Sequence, residues 1–361
     1  MLGLLISFFS SFVATLLIIR YKHLHQNYSS DWDLSGPQKF HTNIVPRIGG
    51  ISIVIGLFTS ILIRLKSNIN PGIEIILLIS AVPTFAIGLT EDLTKIISIR
   101  IRLIFTAISA ALAVYLLPVQ ILGIDIPVID LLFSIPFFGL ILTVFAITGL
   151  ANAYNIIDGF NGLASMVAMI TLLTLAYVSF LVADPLLMYL SLIMVGSILG
   201  VFIWNYPQGL IFLGDGGAYL IGFWIAVLSV MLINRHDAVS PWFALLINAY
   251  PIVETIFSIY RRKIHQNKSP GHPDGIHFHS LIYRRILKGN LIANNSGFLS
   301  ANAKTSPYLW MLTCLAAVPA TISRQSTPLL IAEFFMFIFI YLYIYKKMVT
   351  FKTPNWLLTL S

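Results

Sequence analysis

Eleven apolar runs, each about 20 residues long, follow one another between polar breakers in this 361-residue chain. They fall near 2–19, 47–64, 74–90, 101–118, 129–149, 161–182, 186–204, 216–233, 240–259, 307–322 and 328–345. A helix rises 1.5 Å per residue, so about 20 residues cross a hydrocarbon layer roughly 30 Å thick. Runs of this length fold as spanning helices, because a helix satisfies all its backbone groups within one segment. Outer-membrane strands would instead read as short alternating stretches. Only 10% of residues are charged, against roughly 25% in a soluble domain. The expected fold is an all-α polytopic membrane protein, a bundle of about eleven transmembrane helices.

Charge placement sets an orientation. The first run, Leu2 to Ile19, has no positive residue before it and Arg20 and Lys22 after it. That order is the reverse of a signal peptide and reads as a retained span with its N-terminus outside. Carried through eleven spans, this orientation puts all 22 Lys and Arg on the inner side except Arg64, Lys66, Arg235 and Arg324. A missed or spurious span would scramble the segregation, so the C-terminus is expected to be cytoplasmic. No hydrophilic stretch is long enough to fold separately, which leaves residues 1–361 as one integral membrane domain. The net charge of +8 sits at inner span ends, where anionic lipid or phosphate accounts for it and no nucleic-acid partner is needed. The one cysteine, Cys314, lies in an apolar run and reads as a packing residue, which leaves no disulfide framework and no Cys-based metal site.

Polar groups then collect on inner segments near 20–46, 91–100, 150–162, 205–216 and 260–306. Pro46-Arg47-Ile48-Gly49-Gly50 opens the second span, and its glycine pair suits either helix packing or close approach to a ligand. Glu91-Asp92 closes the third span, with Lys95 placed to pair with either acid on a continuing helix and Arg100 and Arg102 following. Asn152, Asn155, Asp158 and Asn161 come at steps of three, which drift about 60° per step around a helix. They cannot face one point on an unbroken helix, and Gly159 and Gly162 make a break there, of the kind tolerated where it lines a wet cavity. Asp215, flanked by Gly214, Gly216 and Gly217, reads either as an N-cap or as a ligand for Mg²⁺ beside phosphate. The last long loop carries Gly271, His272, Asp274, Gly275, His277, His279 and Ser280, then Arg284 and Arg285, a set suited to an anionic diphosphate and underspecified for zinc. Glu254 shares a helical face with Arg261 and Arg262 and reads as their ion-pair partner.

Acids for a divalent metal, with His and Arg for phosphate oxygens, all on one membrane face, describe phosphoryl transfer. A transporter or lipid flippase is the rival class; such proteins place charges near the midplane, often in inverted repeats, and no repeat is evident in this sequence.

In this order and on these segments, the motifs from about Pro46 through Arg285 resemble the polyprenyl-phosphate N-acetylhexosamine-1-phosphate transferases of glycosyltransferase family 4. Glu91-Asp92 corresponds to the family's acidic pair, Asn155 and Asp158 to its Asn-x-x-Asp-Gly motif, Asp215 to its metal aspartate, and His277 with His279 to its histidine cluster. Glu91, Asn161, Ala218 and Ser280 depart from the common pattern; Glu91 and the Glu-Asp-Leu-Thr-Lys run look like the O-antigen-initiating branch.

The resemblance implies a bacterial inner-membrane enzyme with its site on the cytoplasmic face, a UDP-N-acetylhexosamine donor and an undecaprenyl phosphate acceptor. It implies Mg²⁺, with Mn²⁺ as a substitute, held by Asp215. Catalytic roles fall on Asp92, Glu91, Asp158, His277 and His279, and substrate contacts on Lys95, Asn152, Asn155, Asn161, Asp274, Arg284 and Arg285. Asp92 would act either as a general base or as a positioning group. GlcNAc is the default sugar, with GalNAc, FucNAc and QuiNAc as alternatives, and a homodimer is a family expectation.

Overall fold

The computed structural model describes residues 1–30, 44–66, 71–265, 275–287 and 298–351. The described residues are almost wholly helical. In chain order the helices are α1 (Leu2–Arg20), α2 (Lys22–Ser29), α3 (Gly49–Lys66), α4 (Gly72–Thr94), α5 (Ile99–Leu116), α6 (Pro127–Asp130), α7 (Phe138–Ile157), α8 (Leu163–Leu181) and α9 (Pro185–Asn205). They continue with α10 (Gly214–Arg235), α11 (Pro241–Ile247), α12 (Ala249–Tyr260), α13 (Phe278–Ile282), α14 (Phe298–Ser323) and α15 (Thr327–Val349).

Among the described residues ten helices are long and apolar enough to cross a membrane, and the pair Pro241–Ile247 and Ala249–Ile264, bent by 74°, makes an eleventh when taken as one span. That agrees with the eleven apolar runs. Span starts follow ordinary helix-cap chemistry: Asp184 and Ser240 accept the Leu187 and Trp242 backbone N–H groups at 3.1 and 3.3 Å, each just before a proline in the first turn.

The fifth span is displaced from its sequence position. Residues 127–134 form short helical turns, Phe137 adopts φ 66, and the long helix runs from Phe138 to Ile157 instead of over 129–149. The polar Asn152 and Asn155 therefore lie inside a helix. This is possible because the helix end is packed within protein, where the Tyr219 hydroxyl donates to Asn152 Oδ1 at 3.0 Å. Cys314, expected to pack, is exposed on α14.

The centre of the bundle is α10. Its residues are apolar all round and buried without interruption from Gly214 to Leu232, as a helix enclosed by others must be. It packs against α3, α4, α7 and α8, while α1 and α15 keep broad exposed apolar faces. The alternation of long helices brings the end of α4, the break between α7 and α8, and the start of α10 to the same end. A short backbone ladder joins the approaches to α3 and α10: Phe212 N–H donates to Pro46 O at 2.8 Å, and Gly49 and Gly50 N–H groups donate to Phe212 and Leu213 carbonyls, each at 3.0 Å.

Candidate active site

The site is built on a junction of helix ends that only glycine permits. A Cβ on Gly88 of α4 would stand 2.6 Å from Gly216 Cα, and one on Gly50 of α3 2.5 Å from Gly217 N. Gly214, at φ +77, leaves no room for a side chain beside the Arg47 carbonyl and the Asp92 carboxylate. This close approach delivers Asp92, only 1% exposed, to the first turn of α10. Its Oδ1 and Oδ2 accept the backbone N–H groups of Asp215 and Gly216 at 2.8 and 2.9 Å. Asp92 thus satisfies two of the donors a helix N-terminus leaves open.

Asp215, 7% exposed, is held between two guanidinium groups. Arg47 Nη2 lies 3.2 Å from Oδ1 and 3.8 Å from Asp92 Oδ1, and Arg102 Nη1 donates to Asp215 Oδ2. Sequence reasoning gave neither arginine a place in the site. The pairings reach 168 and 113 residues along the chain, although both arginines lie in motifs at inner span ends. Glu91 sits nearby, half-buried, and its Oε2 accepts the Ile97 N–H at 2.7 Å. The helix that would have paired Lys95 with Glu91 or Asp92 stops at Thr94; Lys95 turns left-handed at φ 58 and its Nζ donates to the Ser30 carbonyl at 3.1 Å.

The expected break lies at Asp158–Gly162, between α7 and α8, with Gly162 at φ +71. Asp158 is half-buried. Burial pushes its carboxyl up to about 7, Arg47 opposes that shift, and Asp215 adds to it. Asn155, half-buried in the last turn of α7, gives its carbonyl to the Asp158 N–H at 3.3 Å. Asn161 works as a clamp: its Nδ2 donates to Pro207 O at 3.0 Å, its N–H to Asn302 Oδ1 at 2.8 Å, and its carbonyl accepts from Ser306 Oγ at 2.6 Å. Asn205 Oδ1 accepts the Gly162 N–H at 2.5 Å. The structure therefore spends Asn161 on tying the break to its neighbours, and Asn205 and Asn302, which no local motif marks, share that work.

The histidines close one side. His277 and His279 stack at 5.2 Å between ring centroids, His279 packs edge-on against Phe160 at 5.4 Å, and a Cβ on Gly159 would stand 3.1 Å from His279 Nε2. Glu254 is not the partner of Arg261 and Arg262 that helical spacing suggests. Its Oε1 accepts from His277 Nδ1 at 2.9 Å and its Oε2 from the Tyr341 hydroxyl at 2.8 Å, while Arg261 Nη1 donates to the Ile276 carbonyl at 2.6 Å. Arg284 lies against Gly275, where a Cβ would stand 2.8 Å from Nη2. Arg285 is carried away to the end of α15, with its guanidinium 3.5 Å above the Phe351 ring. Asp274, His272 and Gly271 lie outside the described residues.

The donor chemistry suits a hard cation. Mg²⁺ is commonly held by one or two carboxylates together with substrate phosphate, and a Cys/His cage is not required. Asp215, already built to carry positive charge on both oxygens, meets that requirement. Among the described residues no three His, Cys, Asp or Glu converge as a metal cage. Beside the polar junction an apolar cavity of about 750 Å³ runs between α7, α10, α11 and α12, lined by Phe145, Asn152, Ile233, Trp242 and Ile256 among others. Asn152 thus lines the cavity while its side-chain Oδ1 accepts from Tyr219 of α10.

Residues 74–233, which carry Asp92, Asp158 and Asp215, match the sequence profile of glycosyl transferase family 4. Over this stretch the chain is similar to that family. Among its curated relatives, the "Probable undecaprenyl-phosphate N-acetylglucosaminyl 1-phosphate transferase" of Bacillus subtilis (strain 168) is 28% identical over 250 residues, 68% of each chain. An "Undecaprenyl-phosphate alpha-N-acetylglucosaminyl 1-phosphate transferase" of Thermotoga maritima is 28% identical over 256 residues, 71% of this chain and 74% of the relative. The protein of the same name from Escherichia coli (strain K12) is 29% identical over 260 residues, 68% of this chain and 67% of the relative. The family 4 profile ends before Glu254 and the histidines.

Proposed function

We propose that this chain is a family 4 enzyme that transfers the sugar 1-phosphate of a UDP-N-acetylhexosamine, GlcNAc by default, to undecaprenyl phosphate, forming the lipid-linked diphosphate sugar and UMP. The observation that carries this reading is the adjacency of two features: an Asp–Arg junction at helix ends and an apolar cavity reaching Asn152. The first suits a nucleotide diphosphate; the second suits a long isoprenoid. The names of the relatives point to the same acceptor and the same sugar. With the orientation given by the basic residues, the site faces the cytoplasm of a bacterial inner membrane, where a first step of surface-polysaccharide synthesis of the O-antigen type would find both substrates.

Asp215 would hold Mg²⁺, which when bound neutralises charge on the diphosphate. Arg47 and Arg102, which flank Asp215, would bind phosphate oxygens, and His277 and His279, packed beside the break, would meet the same anion. A lipid phosphate oxygen forms a bond to the β-phosphorus, the bond from that phosphorus to the bridging oxygen breaks, and UMP departs with the electron pair. A phosphate monoester has its second pKa near 6, so about pH 7 the acceptor is already mostly a dianion and needs no base. Asp92, with both oxygens engaged by backbone N–H groups, serves as a positioning residue for Asp215.

The test is UMP release in detergent from a panel of UDP-N-acetylhexosamines with undecaprenyl phosphate and Mg²⁺. Release dependent on both lipid and one sugar supports the assignment and names the sugar; no release from any donor overturns it. Exchange of UMP into the UDP-sugar without lipid would establish a covalent phospho-enzyme route in place of direct attack.

A further inference from the structure

Glu254 is 1% exposed in the bent span formed by α11 and α12, and nothing in the phosphoryl-transfer reading uses it. A buried carboxylate costs several kcal/mol unless its oxygens are satisfied, so its partners report what it is there to hold. They come from two other elements. His277 Nδ1 lies 2.9 Å from Oε1, the Phe278 N–H is shared at 3.3 Å between both oxygens, and the Tyr341 hydroxyl of α15 donates to Oε2 at 2.8 Å.

An ionised carboxylate only accepts, so His277 must carry a hydrogen on Nδ1. That fixes the tautomer and makes Nε2 the nitrogen whose chemistry varies. Ring orientation is fixed as well, because Oε1 cannot swing away while Tyr341 anchors Oε2. The Tyr341 ring is itself stacked with Tyr345 at 6.3 Å. The effect passes onward: His277 stacks on His279 at an interplanar angle of 16°, and His279 abuts Gly159 and Phe160 in the break that carries Asp158.

We propose that Glu254, anchored by Tyr341, is a positioning residue of this active site, holding His277 in one tautomer and one orientation so that Nε2 addresses an oxygen of the nucleotide-sugar diphosphate. This rests on the transferase reading above. A carboxylate that merely tied α12 to α13 and α15 would stabilise the bundle without governing the ring.

Full-length protein carrying ¹⁵N-histidine in detergent separates the two roles, with the His277 resonance assigned by its loss in His277→Gln. Wild type is expected to show Nδ1 protonated. Glu254→Gln, whose amide can either donate or accept, is expected to give mixed tautomers and a loss of UMP release of about tenfold or more. In a His277→Gln background the same change should add nothing further. Tyr341→Phe, which deletes only the anchor, should broaden the His277 signal and lower the rate less, and it serves if Glu254→Gln does not fold. Losses that multiply across Glu254 and His277, or an unchanged tautomer in both variants, would overturn the proposal. A wild-type protein that releases no UMP would sink the transferase reading while leaving the tautomer measurement standing.

Discussion

The carboxylate of Asp92, at the end of α4, accepts the backbone N–H groups of Asp215 and Gly216, at the start of α10, at 2.8 and 2.9 Å. One acid therefore holds in place the backbone of another. The arrangement keeps Asp92 out of contact with solvent and leaves the Asp215 side chain to face the arginines.

Asp92→Asn should accordingly behave as a positioning variant. It keeps one acceptor, loses the charge, and should cost about 1 to 2 kcal/mol of stability, the usual loss for a damaged helix cap. The Mg²⁺ concentration needed for half-maximal UMP release should rise, with much of the rate regained at high Mg²⁺. A rate that stays low at every Mg²⁺ concentration, with the metal dependence unchanged, would return Asp92 to the role of general base.

Asp215→Ala should abolish detectable UMP release, a loss of about a hundredfold or more by analogy with removing a group that stabilises developing charge. It also leaves Arg47 and Arg102 facing each other without their shared counter-ion. Unfolding temperature should therefore fall at low salt and recover in part as salt screens the pair. Substantial activity in this variant would remove Asp215 from metal binding.

The elevated Asp158 carboxyl, at about 7, has two consequences of opposite sign. The folded protein binds this proton more tightly than the unfolded chain, for which 3.8 is the reference. Its contribution to stability is thus fully present below pH 3.8 and is lost as pH rises through about 7. Activity runs the other way if the ionised form serves the reaction: kcat/KM should climb between about pH 6 and 8, a limb distinct from that of the acceptor phosphate near 6. In Asp158→Asn the limb near 7 should vanish, leaving only the lower one; a limb that persists near 7 would assign it to another group.

Gly88→Ala tests the junction itself. The new methyl would stand 2.6 Å from Gly216 Cα, with backbone on the far side, so α4 and α10 must separate. Overpacking of this kind costs roughly 1 to 3 kcal/mol. Thermal unfolding should report that loss, and UMP release should fall further than stability alone explains, because Asp92 is drawn off the start of α10.

Asn161→Ala separates a clamp from a substrate contact. Losing its donation to Pro207 O should lower stability by about 1 kcal/mol while leaving KM for the UDP-sugar unchanged. A raised KM with normal stability would place Asn161 in the substrate site.

The spans were legible because a bilayer demands length and apolarity, both of which sequence records directly; even the bent span Pro241–Ile264 reads as one run. The fifth span differs at its boundaries because polar residues ordinarily mark a helix end, whereas Asn152 lies within a helix and its Oδ1 accepts from Tyr219. The acids of the site were visible for the same reason that the spans were, as charges where charge is costly. Their partners were not. Nothing local links Arg102 to Asp215 across 113 residues, and Glu254 had two arginines at helical spacing to distract from His277. Pairing across helix ends is decided by glycine-to-glycine approach and by the bend at Asn248, neither of which a periodicity can express.

Continuous enclosure of α10 bears on how such a protein can diverge. A residue between Gly214 and Leu232 has a protein neighbour on every side, so a change there requires a matching change in another helix. The outward faces of α1 and α15 meet no such demand, and any oily side chain serves. Lineages descended from a common ancestor should therefore drift quickly at the rim and in correlated pairs at the axis, with α10 the slowest clock in the chain.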